Sequence, residues 1–91
     1  MQSEGRVEQP MRKADGLEMH VVDDQCVVFN AAEDSVHYLN PTAALVLELC
    51  DGARTAGEIA ALVQEAYGLA APPLDEVDRC LREFKEMEIV A

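Results

Sequence analysis

The chain has 91 residues, a hydrophobic content of 49% and a formal net charge of −11. That length suits one small domain, and an aromatic content of only 4% requires a core of aliphatic side chains. So acidic a chain repels phosphate backbones and anionic lipids, which disfavours binding to nucleic acids or to a membrane surface. The sequence shows neither a signal-peptide pattern nor an apolar run of membrane-spanning length, so we expect a cytoplasmic protein.

The chain divides into two parts of different composition. Met1 to Asp15 is polar and of mixed charge, and it contains Gly5 and Pro10, so we predict a flexible N-terminal tail over residues 1–15. All of the negative excess lies in residues 16–91, which we interpret as a single folded domain.

Three short strands are predicted at the start of this domain. Leu17 to Val22 partly alternates apolar and polar residues, whereas Cys26 to Asn30 and Val36 to Leu39 are rich in β-branched and aromatic residues. Asp23-Asp24 and Ala31 to Asp34 separate them as turns. The pattern is typical of an antiparallel meander, and three strands cannot close a barrel, so at least one edge strand must remain unpaired.

A helix is predicted directly after the third strand. The Asn40-Pro41 pair ends the strand, because the residue before a proline avoids the α region and proline suits the first turn of a helix. Asn40 is then placed to cap a helix over Pro41 to Asp51, with Gly52 supplying the left-handed position after its end.

Two further helices complete the predicted fold. Thr55 and Glu58 form a capping box for a helix over Ala56 to Tyr67, which Gly68 ends. A third helix is predicted over Leu74 to Met87, and the last three residues form a short apolar end that pairs as a brief strand or packs on the core. Strands followed by helices indicate an α+β fold in which the helices cover one face of the sheet.

The residue types that carry catalysis or bind metals are present without a recognisable pattern. No phosphate loop, nucleophile elbow, His-Glu-x-x-His or Cys-x-x-Cys motif occurs, so we expect no enzyme activity. The spacings match no common zinc motif and favour buried free thiols, with no metal and no cofactor; the residues concerned are Cys26, Cys50, Cys80, His20 and His37.

The middle of the chain resembles the PqqD family, whose broader fold is called the RiPP recognition element. The similar residues run from His37 to Ala44, from Leu49 to Gly52, and through Arg54-Thr55 and Glu58-Ile59. The resemblance covers roughly Leu17 to Ala91. The Asn40-Pro41 pair is more similar to the wider PqqD-like group, which is attached to varied peptide-modification systems.

This resemblance implies a winged-helix-like domain that binds the leader segment of a ribosomally made precursor peptide and presents it to a modifying enzyme, often a radical SAM enzyme. The peptide is expected to add as a strand to the third strand, in a groove shared with the third helix. The peptide-binding residues implied on the strand are Asp34, Ser35, Val36, His37, Tyr38 and Leu39. Those implied on the helix are Val77, Cys80, Leu81, Phe84 and Lys85.

Two other functions remain to be weighed against peptide binding. A winged-helix regulator that contacts nucleic acid would need a basic recognition helix, but Ala56 to Tyr67 contains Glu58 and Glu65 and no lysine or arginine. A structural interaction domain that pairs through its open sheet edge would form homodimers, whereas a peptide-binding domain would be a monomer awaiting its ligand.

Overall fold

A computed structural model describes residues 10–90 of the chain. It contains three strands followed by three helices, as the sequence predicts, and no helix in the described part is long and apolar enough to cross a bilayer. The elements are β1 (Leu17–Val22), β2 (Gln25–Asn30), β3 (Ser35–Leu39), α1 (Pro41–Glu48), α2 (Ala56–Tyr67) and α3 (Leu74–Glu86).

The strands form one antiparallel sheet in the order β1-β2-β3. Side chains alternate between its two faces, and α1 packs against β2 and β3. Buried Cys26, Val28 and Leu39 lie on the face that the helices cover, the inner face. The opposite, outer face carries a set of apolar side chains that remain accessible to solvent: Val22, Val27, Phe29, Val36 and Tyr38.

The start of α1 agrees with the prediction, and its end does not. Asn40 caps the helix, because its Oδ1 accepts a hydrogen bond of 2.8 Å from the Ala43 N–H. The helix ends at Glu48, three residues before the predicted Asp51. Asp51 instead organises a turn: its Oδ1 accepts from the N–H groups of Ala53 and Arg54, which holds the pKa of this carboxyl below its usual value.

The second helix begins and ends where the sequence predicts. Thr55 Oγ1 accepts from the Glu58 N–H, and Glu58 Oε1 accepts from the Thr55 N–H at 2.8 Å, which completes the capping box. Gly68 takes the left-handed conformation (φ 63°) that ends this helix. The third helix ends one residue before the predicted Met87, which serves as its C-cap.

The core lies between the inner face of the sheet and the three helices. Its largest fully buried side chains include Phe84, Leu47, Ile59, Leu81 and Ile89. The domain thus depends on aliphatic packing around a single buried phenylalanine, in agreement with the low aromatic content.

Residues 10–15, which the sequence analysis assigned to the N-terminal tail, contact the folded domain. Met11 belongs to the core cluster with 9% of its surface exposed, and the Ala14 N–H donates to the Ile89 carbonyl at 3.0 Å. Arg12 and Lys13 form isolated β-bridges with Asp51 and Val90. Residues 10–15 therefore belong to the folded domain, because they pair with the segments that follow α1 and α3. The rest of the predicted tail lies outside the described residues.

The three cysteines are free and buried, as predicted. Burial desolvates the thiolate and raises the pKa of Cys50 to about 11, and it also raises the pKa of Cys26 and Cys80. Since the thiolate is the reactive form, we expect Cys50 in the native protein at pH 8 to react with DTNB on the order of 100-fold more slowly than an exposed thiol. Stopped-flow labelling with and without denaturant measures this difference, and rapid native labelling would contradict the burial.

Candidate functional site

The sheet has two edge strands, β1 and β3, and the peptide-binding residues predicted on the sheet lie on β3 and directly before it. Among residues 10–90, β3 is hydrogen-bonded only to β2, in the register Cys26↔Leu39 to Asn30↔Ser35. Because backbone groups of a strand point alternately to its two sides, half of those in Ser35–Leu39 are directed away from β2. A five-residue stretch of unpaired donors and acceptors therefore borders the sheet on this side.

The side chains of β3 divide between the two faces. Val36 and Tyr38 lie on the outer face with 49% and 67% of their surfaces exposed. Ser35 and His37 are half-buried on the inner face, where Ser35 Oγ lies 3.2 Å from His37 Nε2, and Leu39 is buried in the core. The strand thus offers apolar contacts on one face and hydrogen-bonding groups on the other.

Asn30 fixes the start of β3, and the sequence reasoning did not identify it. Its side chain is 1% exposed and makes three hydrogen bonds. Nδ2 donates to the Glu88 carbonyl at 3.2 Å, and Oδ1 accepts from the N–H groups of Ala32 and Glu33. The signal was an asparagine followed by a turn, where its side chain commonly bonds to the backbone two or three residues on.

The Asn30 hydrogen bonds also bring two acidic side chains together. A hydrogen bond between the Glu33 and Glu88 side chains, together with the negative charge of Glu88, raises the pKa of the Glu33 carboxyl. Because the folded state binds this proton more tightly than the unfolded chain, the stability that the proton contributes is present at low pH and is lost as pH rises through the raised pKa.

We therefore expect Glu33→Gln to raise the melting temperature at pH 7 and to have less effect at pH 4. Scanning calorimetry at both pH values measures the difference. Glu65→Gln removes one negative charge from an exposed position on α2 and serves as the control for net charge. An equal stabilisation by the two variants at pH 7 would show that general charge repulsion, not the Glu88 neighbour, is responsible.

The helix half of the expected site stays a prediction. No Cα atom of α3 lies within 8 Å of a Cα atom in β3, so these two elements do not contact each other directly. Of the five predicted residues only Lys85 is exposed, whereas Val77, Cys80, Leu81 and Phe84 are buried core residues. These four pack among the helices, so a ligand cannot contact them extensively in this conformation.

Within residues 10–90, no group of three or more metal-binding side chains is close enough to hold an ion. The basic residues of α3, Arg79, Arg82 and Lys85, are exposed, and Arg82 Nε donates to Asp78 Oδ2 at 2.7 Å. The site therefore has the geometry of a binding edge, with backbone groups as its main polar feature.

Comparison with known proteins gives a family and a related fold. The family model described as coenzyme PQQ synthesis protein D (PqqD) matches residues 25–90. No curated protein matches the chain significantly. Among solved structures, "TbiB1 in Complex with the TbiA(beta) Leader Peptide" has a similar fold, with a TM-score of 0.65 and 16% sequence identity over 87% of this chain and 93% of that one.

Proposed function

The chain belongs to the PqqD family, and from this premise we propose that it is a peptide-binding adaptor for a ribosomally made precursor. The open edge of β3 is the observation that carries the proposal. The related fold belongs to a protein that was solved with a leader peptide, which supports the same ligand class for this chain.

In the proposed complex, the leader peptide adds to β3 as a fourth strand. Adjacent strands lie about 4.8 Å apart, so a peptide backbone fits beside Ser35–Leu39 without displacing β2. The main-chain hydrogen bonds do not depend on the peptide sequence and provide a general contribution to affinity. A strand of this length pairs with about five peptide residues.

Specificity comes from the peptide side chains, which alternate between the two faces of the extended sheet. Those directed inward meet the half-buried Ser35 and His37, and those directed outward lie beside Val36 and Tyr38. A peptide that alternates a polar residue on the inner side with an aliphatic or aromatic residue on the outer side suits this edge. Asp34 at the start of the strand is exposed and adds a negative charge there.

The adaptor then presents the peptide to a separate modifying enzyme, and a radical SAM enzyme is the class that we propose. This division of roles is consistent with the described residues, which form a binding edge and no cluster of metal-binding groups. The helix residues Val77, Cys80, Leu81 and Phe84 are buried in the core. Lys85 is exposed, and it is the helix residue that we propose contacts an acidic peptide side chain.

Self-association through the same edge is the second candidate, because an open strand with exposed Val36 and Tyr38 can pair with a copy of itself. The two functions predict different concentration dependence. Sedimentation velocity over a range from low micromolar to several hundred micromolar gives a monomer for the adaptor and a concentration-dependent dimer for the alternative.

The direct test is an NMR titration of labelled protein with leader peptides encoded by small open reading frames beside its gene. We expect chemical-shift changes concentrated in residues 34–39, with the exposed face of α2 unaffected as an internal control. If a genuine neighbouring precursor leaves residues 34–39 unchanged at high micromolar concentration, the proposed function is wrong and self-association becomes the leading explanation.

A further inference from the structure

A second surface of the sheet extends away from the β3 edge, across β2 to β1. It is the outer face, on which Val22, Val36 and Tyr38 are 55%, 49% and 67% exposed. Val27 and Phe29 on the central strand lie between them and are only partly covered. No element among residues 10–90 packs on this face, since α1 occupies the other side of the sheet.

The pairing register makes these side chains one continuous patch. Phe29 is paired with Val36, and Val27 is paired with Tyr38, so four apolar side chains stand in two adjacent cross-strand rows. Val22 extends the patch on β1, next to His20 two residues before it. A contiguous apolar patch with polar surroundings is typical of a protein–protein interface, whereas isolated exposed valines are not informative.

The charges around the patch restrict the kind of partner. Residues 17–39 contain five acidic residues and no lysine or arginine. All five acidic side chains are exposed. Glu18 lies on the outer face opposite Phe29, and the other four lie in the two turns that connect the strands: Asp23, Asp24, Glu33 and Asp34. Stacking two copies face to face would bring two acidic surfaces together without a lysine or arginine between them, which disfavours a homodimer through this face.

We propose that the outer face is a docking surface for a protein whose complementary patch has an apolar centre and a rim of lysine and arginine. The five acidic residues steer such a partner and fix its orientation, and the aromatic and aliphatic centre provides the buried contact. The assignment of this partner as the modifying enzyme rests on the proposed function. In that case the adaptor binds leader and enzyme at once, on two surfaces that share β3.

Val21 and Val22 offer a matched pair of variants for the test. They are neighbours on β1, both are exposed (80% and 55%), and their side chains lie on opposite faces. Val22→Lys places a positive charge on the outer face, whereas Val21→Lys adds the same charge on the inner side. Both positions are on the strand farthest from the β3 edge, so neither substitution touches the proposed leader site.

The experiment measures binding of the separately purified peptide-modifying enzyme encoded beside the gene, by calorimetry, to the full-length protein and each variant. We expect Val22→Lys to raise the dissociation constant at least tenfold and Val21→Lys to change it less than twofold. We also expect the wild-type affinity to fall as NaCl is increased. Equal losses in both variants, or no enzyme binding by the wild type, would overturn the proposal.

Measuring leader binding distinguishes a failure of the docking proposal from a failure of the proposed function. Both variants are expected to bind the leader with wild-type affinity. If the wild-type protein fails to bind any leader but loses enzyme affinity through Val22→Lys, leader binding is wrong and the docking surface stands. If sedimentation shows a wild-type dimer that Val22→Lys dissociates, a second copy occupies the face and the docking proposal is overturned.

Discussion

Replacing Phe84 with alanine is expected to lower the free energy of unfolding by about 3–5 kcal/mol. Phe84 is 1% exposed and is the largest of the fully buried side chains, so its removal leaves a cavity among the helices. A domain of this size is stable by roughly 5–15 kcal/mol, so the loss is a large fraction of the total. Urea unfolding followed by circular dichroism measures it through the transition midpoint and slope.

Glu83→Ala is the matched control, because Glu83 is the preceding residue of α3 and is exposed. Surface substitutions of this kind change stability by about 0.5 kcal/mol or less. The experiment also tests whether Phe84 of α3 contacts the leader peptide. A folded Phe84→Ala protein of near wild-type stability that binds the leader tenfold more weakly would show that Phe84 contacts the peptide, and would contradict its position in the core.

Replacing Asn30 with alanine is expected to lower the free energy of unfolding by about 2–4 kcal/mol. The substitution leaves the Glu88 carbonyl and the N–H groups of Ala32 and Glu33 without their present partner. An unsatisfied buried polar group costs about 1–3 kcal/mol, and the three partner residues are exposed, so water replaces part of each lost hydrogen bond and the total is less than three full penalties. Thermal and urea unfolding provide independent measurements.

The location of the destabilisation distinguishes the loss of the Asn30 hydrogen bonds from a general weakening of β2. Gln25→Ala changes an exposed residue at the other end of β2 and is expected to have little effect on stability. Hydrogen exchange in Asn30→Ala should accelerate first in the turn before β3 and in the segment after α3, which Asn30 joins. Uniform acceleration across the domain, with no local increase there, would contradict this role.

The parts of the fold that could be predicted from sequence depend on local signals. The Asn40-Pro41 start of α1 and the Thr55 and Glu58 capping box involve groups within three residues of each other. Such contacts form whenever the local backbone folds, so the residue types are sufficient to identify them. The order of strands and helices follows from the same turn and capping signals.

The features that the sequence did not predict depend on contacts between distant parts of the chain. Asn30 bonds to Glu88, 58 residues away, and Met11 enters a core formed mostly by later residues. The end of α1 at Glu48 likewise accompanies pairing between Asp51 and Arg12. No local pattern specifies these partners. The sequence analysis therefore assigned residues 10–15 to the tail and extended α1 three residues too far, to Asp51.

In the candidate site, too, the sequence predicts local features but not the contacts between distant parts of the chain. Alternation along β3 predicts that His37 and Tyr38 lie on opposite faces, and the structure agrees. Helical periodicity also groups Val77, Leu81 and Phe84 on one face of α3, but it does not say what covers that face. The structure shows that these three side chains are buried in the core, and the peptide groove that the resemblance implies beside α3 stays a prediction.

The central claim is that a leader peptide binds β3 as an added strand, and N-methylation of the peptide tests it most directly. Leader peptides of one sequence are each methylated at a single backbone nitrogen, at successive positions along the binding segment, and their affinities are measured by calorimetry. Edge-strand addition predicts a period of two: methyl groups on nitrogens that face β3 weaken binding about tenfold or more, and those on alternate nitrogens have little effect. A uniform response, or one with a helical period, would contradict strand addition.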